Sequence, residues 1–562
     1  MIMPKCVSAT ENSIKVADKY IKAVIDKKIP SCQLVYKAVK RHLDDLEHQN
    51  KYYFDRQEAD FRLKVFNYLH HSKGKWAGQK FILSPWQQFL VAVIFGWKKK
   101  ADGKRRFKQV YLEVPRKNGK TTCAAGIALN LLDIDGEMGA EVYAAATKKD
   151  QARIVHEEAT RMVASSPALK SHITIMRNNL NVADTCSKFE PLSSDYNSLD
   201  GLNIHGAIID ELHAHKTREL YDVIDTATGA REQPMIFMIT TAGVQMESIC
   251  REMHEYTENI LNNVVKDDTF FGLIYTIDEK DKWDDETAWY KANPNLGISL
   301  SIESMREEKT KAMQSKSSLA AWQRYHLNIW GGAVESWISY DKWEACKTNF
   351  DFAEMQGRKC YIGMDLSSTT DTTAICCAFP MDDGTIKVFW RFWLPEVGIE
   401  AREHIDRVPY RQWASEGYLT LTQGDVIDYD YIENEIMRWA AQFEIQEIIA
   451  DPYNATQLLN HLGDNGLPVF EHRQGFISMN APTKAFEVAV LSGNLQHEDN
   501  PMMRWQIGNA ELKVGDGEVV KPVKKNGRKR MRIDGVIAAV MAVGRINITQ
   551  EEEEKDYTVL YL

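Results

Sequence analysis

The sequence predicts two successive α/β domains, and three observations carry that expectation. Residues 109–122, QVYLEVPRKNGKTT, read as a strand, a loop and the start of a helix. Two further apolar strands in the same half end in acids or hydroxyls. Past residue 358, apolar strands end in Asp365 and Asp451, and an apolar helix is headed by Asp534. Apolar strands interleaved with segments of helical spacing are the pattern of sheets covered by helices.

At 562 residues the chain exceeds what one core holds. The expected division is a helical region 1–80, a phosphate-loop core 81–283, a helical lid or linker 284–335, a connection 336–357, a second α/β domain 358–549 and an acidic tail 550–562. Hydrophobic content of 44% and charged content of 26% are those of an ordinary soluble globular protein. No apolar run approaches a membrane span, and the N-terminus lacks an apolar signal core. Nine cysteines without a C-x-x-C pair point to reduced thiols in a cytosolic compartment, with neither a zinc site nor a disulfide framework. The net charge of −10 argues against indiscriminate coating of DNA, although local Lys/Arg clusters can still bind phosphate.

Taken in order, IKVADKYIKAVI, CQLVYKAVKRHLDDL and EADFRLKVFNYLHH place apolar residues three and four apart and predict helices, with Ser31 as a cap. Their expected role is packing. In FILSPWQQFLVAVIFGW, Trp86 could stack on adenine while Gln87 or Gln88 reads the base edge; the alternative is an amphipathic helix capped at Ser84-Pro85.

Val110, Leu112 and Val114 then alternate with Tyr111 and Glu113 as a strand that Pro115 ends. Arg116, Lys117, Asn118 and Gly119 form the loop, and Lys120, Thr121 and Thr122 open a buried helix. That order suits a phosphate-binding loop: backbone N–H groups and the helix N-terminus face the phosphates, Lys120 neutralises them, and the Thr121 hydroxyl ligates Mg²⁺. The first glycine of G-x-x-x-x-G-K-[ST] is replaced by Val114.

In HGAIIDELHAH, Asp210 and Glu211 end a buried strand. Metal-assisted phosphoanhydride hydrolysis needs one acid for the Mg²⁺ shell, Asp210, and one to polarise the attacking water, Glu211. His213 and His215 follow at a spacing open to metal ligation, but a loop pair with no further Cys or His is more often not a ligand. PMIFMITTAG ends in Thr240 and Thr241, hydroxyls able to sense the γ-phosphate and couple its loss to movement. From residue 284 to 330 the pattern is helical, interrupted at Asn293-Pro294-Asn295, and predicts a small subdomain able to tilt.

In the second domain Asp365, Asp451 and Asp534 stand at two strand ends and one helix start, positions that meet beside a sheet. Carboxylates that close need a divalent cation, and the expected chemistry is two-metal phosphodiester cleavage, with Asp371 a fourth ligand or an outer partner. Lys521, Lys524, Lys525, Arg528, Lys529, Arg530 and Arg532 lie around the turn signals Gly515-Asp516-Gly517 and Asn526-Gly527, and predict a basic β-hairpin clamping DNA beside the metal site.

The ordered set PWQQF, VPRKNGKTT, AIIDELHAH, ITTAG, LAAWQRYHLNIWGG, YIGMDLSSTTDTTA, IIADPYNATQLL and IDGVIAAVMAV resembles the large terminase subunit of tailed double-stranded DNA bacteriophages. The resemblance covers nearly the whole chain, and the variant phosphate loop is usual in that family. It implies an N-terminal P-loop ATPase of the additional-strand type and a C-terminal RNase H-like nuclease. Together they would drive double-stranded DNA into a procapsid and cut the concatemer.

Carried over residue by residue, Lys120 and Thr121 would bind phosphate and Mg²⁺, with Asp210 completing the metal shell and Glu211 activating water. Thr240 and Thr241 would form the coupling motif, Gln87 would contact adenine with Gln88 leaving the register open, and Arg116 would steady the transition state. Asp365, Asp451 and Asp534 would be the nuclease triad. The implied ligands are ATP with Mg²⁺ and, at the nuclease, two Mg²⁺ or Mn²⁺ ions. The implied partners are DNA, the portal protein, a small terminase subunit and further copies in a ring, the chain being a monomer in solution. The implied place is the host cytoplasm, transiently on the portal, and not the mature virion. The alternatives are a helicase-nuclease, for which no second helicase core is visible, and a non-catalytic DNA-binding capsid component, against which Lys120, Asp210 and Glu211 argue.

Overall fold

A computed structural model describes residues 10–147, 149–192, 201–215, 217–245, 247–331, 337–349, 352–367, 371–515, 517–527 and 530–556. It divides into two compact units, Met1–Leu261 with Lys266–Ala333, and Asn262–Val265 with Val334–Leu562.

The first unit opens with the expected helices, α1 (Ile14–Ile25), α2 (Gln33–Glu47) and α3 (Arg56–Val65). On α1 the buried residues Val16, Ala17, Tyr20 and Val24 follow helical spacing, so one stripe meets the core. Ser31 is not the cap of α2: Cys32 holds that position, and the N–H of Gln33 donates to Asp278 Oδ1 at 2.7 Å. A carboxylate far along the chain thus satisfies the helix end. Helix α4 (Pro85–Gly96) is buried on every side, so it is a core helix and not an amphipathic one. Pro85 opens it without needing a partner for an N–H, and the N–H of Ser84 donates to Gln87 Oε1 at 2.9 Å.

The sheet of this unit is built from β1 (Gln109–Glu113), β2 (Glu141–Ala145), β3 (Ile173–Ile175), β4 (Leu180–Val182), β5 (Ser187–Pro191), β6 (Ile204–Ile209), β7 (Met235–Thr240) and β8 (Phe270–Ile274). Its order is β8-β1-β7-β6-β2-β5-β4-β3. The strands from β8 to β5 are parallel, and β4 and β3 close the edge antiparallel. Strand β7 lies between the loop-bearing β1 and the acid-bearing β6, the strand order expected of the additional-strand type. Every residue of β6 and β7 is buried, and two covered faces explain why these strands read as unbroken apolar runs. Parallel strands deliver their C-terminal ends to one edge, so the phosphate loop after β1, Asp210 after β6 and Thr240 at the end of β7 meet there. Helix α5 (Lys120–Leu129) follows the loop. Helices α6 (Glu286–Ala292), α7 (Ile302–Ala312) and α8 (Lys316–Leu327) enclose a small core of their own, with Trp289, Leu296, Met305, Trp322 and Leu327.

The sheet of the second unit is built from β9 (Lys359–Asp365), β10 (Thr373–Pro380), β11 (Ile386–Pro395), β12 (Thr420–Thr422), β13 (Glu444–Ala450), β14 (Val469–Glu471) and β15 (Leu495–His497). Its order is β12-β11-β10-β9-β13-β14, with β15 also on β11. Strands β9 to β11 form an antiparallel meander, while β13 runs parallel to β9 and brings Asp451 alongside Asp365. Three helices position the acids and their partners: α9 (Pro452–Asp464), α10 (Phe476–Leu491) and α11 (Asp534–Asp556). Helix α11 crosses β9 so closely that a Cβ on Gly363 would collide with the carbonyl oxygen of Ala538. The expected hairpin forms from β16 (Ala510–Val514) and β17 (Val520–Lys524), paired antiparallel. Residues 550–556, expected to begin a separate tail, continue α11, and residues 557–562 lie outside the described residues. Among the described residues no helix is long and apolar enough to cross a membrane.

Candidate active sites

The phosphate loop is held open from behind. Lys117 and Gly119 adopt positive φ of 68° and 82°, which turns successive backbone amides inward. The Asn118 side chain is fully buried: its Nδ2 donates to Pro115 O at 3.2 Å and to Asn293 Oδ1 at 2.9 Å, and its Oδ1 accepts from the N–H of Asn295 at 3.0 Å. Asn118 is therefore a brace for the loop. Asn295 returns a bond from Nδ2 to Asn118 O at 2.8 Å, and Trp86 Nε1 donates to Asn295 Oδ1 at 3.0 Å.

Trp86 itself is a correction. Its ring is 1% exposed and packs edge-on against Tyr275, so it is a core residue with no face left for adenine. The two glutamines separate cleanly. Gln88 is spent on Glu11 O, Leu83 O and the N–H of Ser13, whereas Gln87 Nε2 donates to Gly119 O at 3.2 Å, against the loop. Arg116 and Lys117 are exposed; the Arg116 guanidinium lies 3.6 Å from the centre of the Tyr325 ring, and Ser299 Oγ donates to Lys117 O at 2.5 Å.

Lys120 is 7% exposed, and its Nζ stands 3.7 Å from Glu211 Oε1 without a hydrogen-bond partner. Burial lowers its pKa, against the pull of Glu211 and Asp210. A buried ammonium with no acceptor, at the open start of a helix, fits phosphate oxygens. Thr121 and Thr122 are half-buried in the first turn of α5.

Asp210 is pushed up to about 6, first by burial and then by Glu211, whose N–H donates to its Oδ1 at 2.8 Å. A carboxylate so destabilised fits a divalent cation. Burial also works to raise Glu211, but His213, Lys120 and Arg116 outweigh it and hold the carboxyl down at about 2. Glu211 takes a left-handed backbone, φ 50°. Thr240 and Thr241 are fully buried, and the N–H of His213 donates to Thr240 Oγ1 at 3.0 Å. His215, also buried, is lowered to about 4 by burial and is neutral.

In the second unit Gln474 links two of the acids. Its Nε2 donates to Asp365 Oδ1 at 3.0 Å and its N–H to Asp451 Oδ2 at 2.8 Å. Asp451 is the N-cap of α9, accepting from the N–H of Tyr453 at 3.0 Å. Asp534 accepts from Thr372 Oγ1, and Gln506 binds both Thr372 and the N–H of Gly535. Burial and then Asp534 raise Asp365 well above the carboxylate range; burial and then Asp371 push Asp534 up to about 6. As the side chains stand, no three His, Cys, Asp or Glu among the described residues close into a metal cage; the Gln474 side chain occupies Asp365 and its backbone N–H occupies Asp451. The charge imbalance nonetheless fits a divalent cation on Asp365 and Asp534.

Asp371 is ion-paired: Lys524 Nζ lies at 2.7 Å, and Arg532 bonds both Asp371 and Asp406, the latter at 2.9 Å through Nε. These cations outweigh burial and lower the Asp371 carboxyl. Lys524 and Arg532, expected on the DNA clamp, are thus bound to carboxylates of the site, and Arg532 is 8% exposed. Burying Asp406 requires such a partner, and the half-buried Asp371 shares it. Lys521 Nζ donates to Gln474 O at 3.1 Å, Lys525 opens the turn after β17, Arg530 is half-buried, and Arg528 and Lys529 lie outside the described residues.

Sequence reasoning missed His213 as a partner of Glu211, Asn293, Asn295 and Tyr325 as supports of the loop, and Gln474, Thr372, Gln506 and Asp406 around the second site. The Asn293-Pro294-Asn295 turn was the one visible signal.

The terminase large subunit ATPase-domain family model matches residues 85–259, and the terminase large subunit endonuclease-domain model matches residues 264–551. Protein YmfN of Escherichia coli (strain K12) is 34% identical over 367 residues, 63% of this chain and 80% of that one. The terminase large subunit of Enterobacteria phage HK97 is 28% identical over 492 residues, 86% of this chain and 94% of that one. The crystal structure of the HK97 bacteriophage large terminase covers 86% of this chain and 99% of its own, at 27% identity and a TM-score of 0.47. With one family model covering half the chain and the other most of the remainder, the chain belongs to the terminase large subunit family, joining a nucleotide-using ATPase to a divalent-metal endonuclease.

Proposed function

We propose that this chain is the packaging motor and cutter of a tailed phage, driving double-stranded DNA into a procapsid with ATP and cleaving the concatemer with the second unit. The carrying observation is that each unit holds a charge set incomplete without its ligand. In the first, the Lys120 ammonium is buried without an acceptor; in the second, Asp365 and Asp534 are both raised, Asp365 by burial and then Asp534, and Asp534 by burial and then Asp371.

In the first unit Lys120 and the amides of the loop bind the β- and γ-phosphates. Gln87 contacts adenine, with Asn118 bracing the loop. Thr121 and Asp210 hold the metal shell, Glu211 orients and deprotonates the attacking water, and Arg116 neutralises the transferred phosphoryl group. Thr240 and Thr241 report loss of the γ-phosphate. In the second unit Asp365, Asp451 and Asp534 hold Mg²⁺ or Mn²⁺, with Lys521, Lys525, Arg528, Lys529 and Arg530 meeting the DNA backbone. When bound, the divalent ions would screen phosphate charge and, as a pair at the nuclease, lower the pKa of a bound water and stabilise the leaving oxygen. The chain works in the host cytoplasm with a portal protein and a small terminase subunit, as a ring on the portal and a monomer before it docks, and it leaves before the virion matures.

The test uses full-length variants in parallel ATP-hydrolysis and plasmid-cleavage assays. Lys120→Ala abolishes hydrolysis and leaves metal-dependent cutting; Asp365→Ala does the reverse. Loss of both activities in either variant, with thermal melting unchanged, would overturn two independent sites.

A further inference from the structure

The imidazole of His213 stands among three side-chain oxygens from two segments. Its Nδ1 lies 3.1 Å from Glu211 Oε2, 3.2 Å from Thr240 Oγ1 and 3.4 Å from Thr241 Oγ1. The hydrogens can be assigned from the network. Thr240 Oγ1 donates to Thr241 O at 2.8 Å and accepts from the N–H of His213 at 3.0 Å, so it has no hydrogen left to give to the ring. With an acceptor-only carboxylate at 3.1 Å and no hydrogen to come from Thr240, the proton is assigned to Nδ1, whose hydrogen-bond geometry meets the threonine hydroxyls, while Glu211 Oε2 stands at ion-pair distance as a buried oxygen with no hydrogen bond of its own. The other polar neighbour of Glu211, Lys120 Nζ at 3.7 Å, is too far for a hydrogen bond. Glu211 itself holds a left-handed backbone, uncommon for a residue other than glycine.

We propose that His213 is a positioning residue for ATP hydrolysis, holding the Glu211 carboxylate and tying it to Thr240 and Thr241 at the end of β7. The inference rests on Glu211 as the carboxylate that orients the attacking water, and it adds the side chain through which that carboxylate and the threonines move together. Because the backbone N–H of His213 is pinned to Thr240, a shift of β7 carries the ring, and the ring carries Glu211. A packing role is the competing explanation, since the His213 Cβ also faces Gly243.

The experiment measures steady-state ATP hydrolysis by the full-length chain with Mg²⁺ and DNA. His213→Ala lowers kcat roughly 10- to 100-fold, the scale of a misplaced catalytic group, with the KM for ATP within about twofold. His213→Asn, whose amide N–H₂ overlays Nδ1, recovers most of the loss; His213→Gln, which places its amide nearer Nε2, does not. In the double variant His213→Ala/Thr241→Val the two effects are less than additive. An Ala variant with wild-type kcat overturns the proposal, as do additive effects with Thr241→Val or equal impairment by Asn and Gln. If His213→Ala fails to fold, the Asn and Gln pair decides. Glu211→Gln separates the two levels: retained hydrolysis in that variant sinks the Glu211 assignment, whereas its loss beside an active His213→Ala sinks only the role of His213.

Discussion

Asp534 shows the cost of burying a carboxylate that the proposed nuclease site would use. Its carboxyl is raised to about 6 from an ordinary 3.8, so between those values the folded chain binds more protons than the unfolded one. The stability it contributes is present below about pH 4 and is lost as pH rises through about 6. Without divalent metal, Asp534→Asn should therefore stabilise the chain at pH 7.5, by about 1–3 kcal/mol, and make little difference at pH 4. Thermal melts in chelator at both pH values check this. Added Mg²⁺ should raise the melting temperature of the wild type and not of the variant. A variant no more stable at either pH, in chelator, would mean that the charge is already compensated within the chain. At this scale the sequence was most legible where chemistry is local. That Lys120, Asp210 and Glu211 would stand at a helix start and a strand end was readable because strand ends and loops announce themselves. Trp86 was misread because residue type does not reveal which face of a helix is buried, and Arg532 because a basic run does not reveal which of its cations meets a carboxylate.

Among the elements, the turn between α6 and α7 is the one whose role local pattern conceals. Asn293 and Asn295 look like an interruption between helices, yet their amides brace Asn118 across 175 and 177 residues of chain. Asn295→Ala would leave Trp86 Nε1 and the carbonyl of Asn118 unpaired in a buried place, at roughly 1–3 kcal/mol for each group. The expected outcome is a lower urea midpoint together with weaker binding of a fluorescent ATP analogue. Weakened stability with unchanged affinity would show that the turn supports the fold without shaping the loop. Helix existence was plain from spacing in α1, α2 and α3, and hydroxyls at the end of β7 were visible as such. The cap of α2 was not, because Asp278 supplies it from a distant segment.

For the whole molecule, two compact units predict two separable responses to ligand. Each unit should be stabilised by what binds it: Mg²⁺ with an ATP analogue for the first, divalent ion alone for the second. The gain is about 2.7 kcal/mol at a hundredfold excess over Kd. In calorimetry Lys120→Ala should abolish the first shift and Asp534→Asn the second; one variant abolishing both would show that the units melt as one. By itself the sequence determined two α/β units, a loop between a strand and a buried helix with two acids ending a later strand, and three carboxylates set at strand ends and a helix start. Those follow from periodicity and from residues within a few positions of each other, where chain geometry dictates what meets. Only the tertiary structure decided that β7 enters between β1 and β6, that Gln87 and not Gln88 faces the loop, that His213 touches Glu211 and the threonines, and that Gln474 stands between Asp365 and Asp451. Each of these depends on segments brought together by sheet order and core packing, and their energies arise only once water has been excluded from between them.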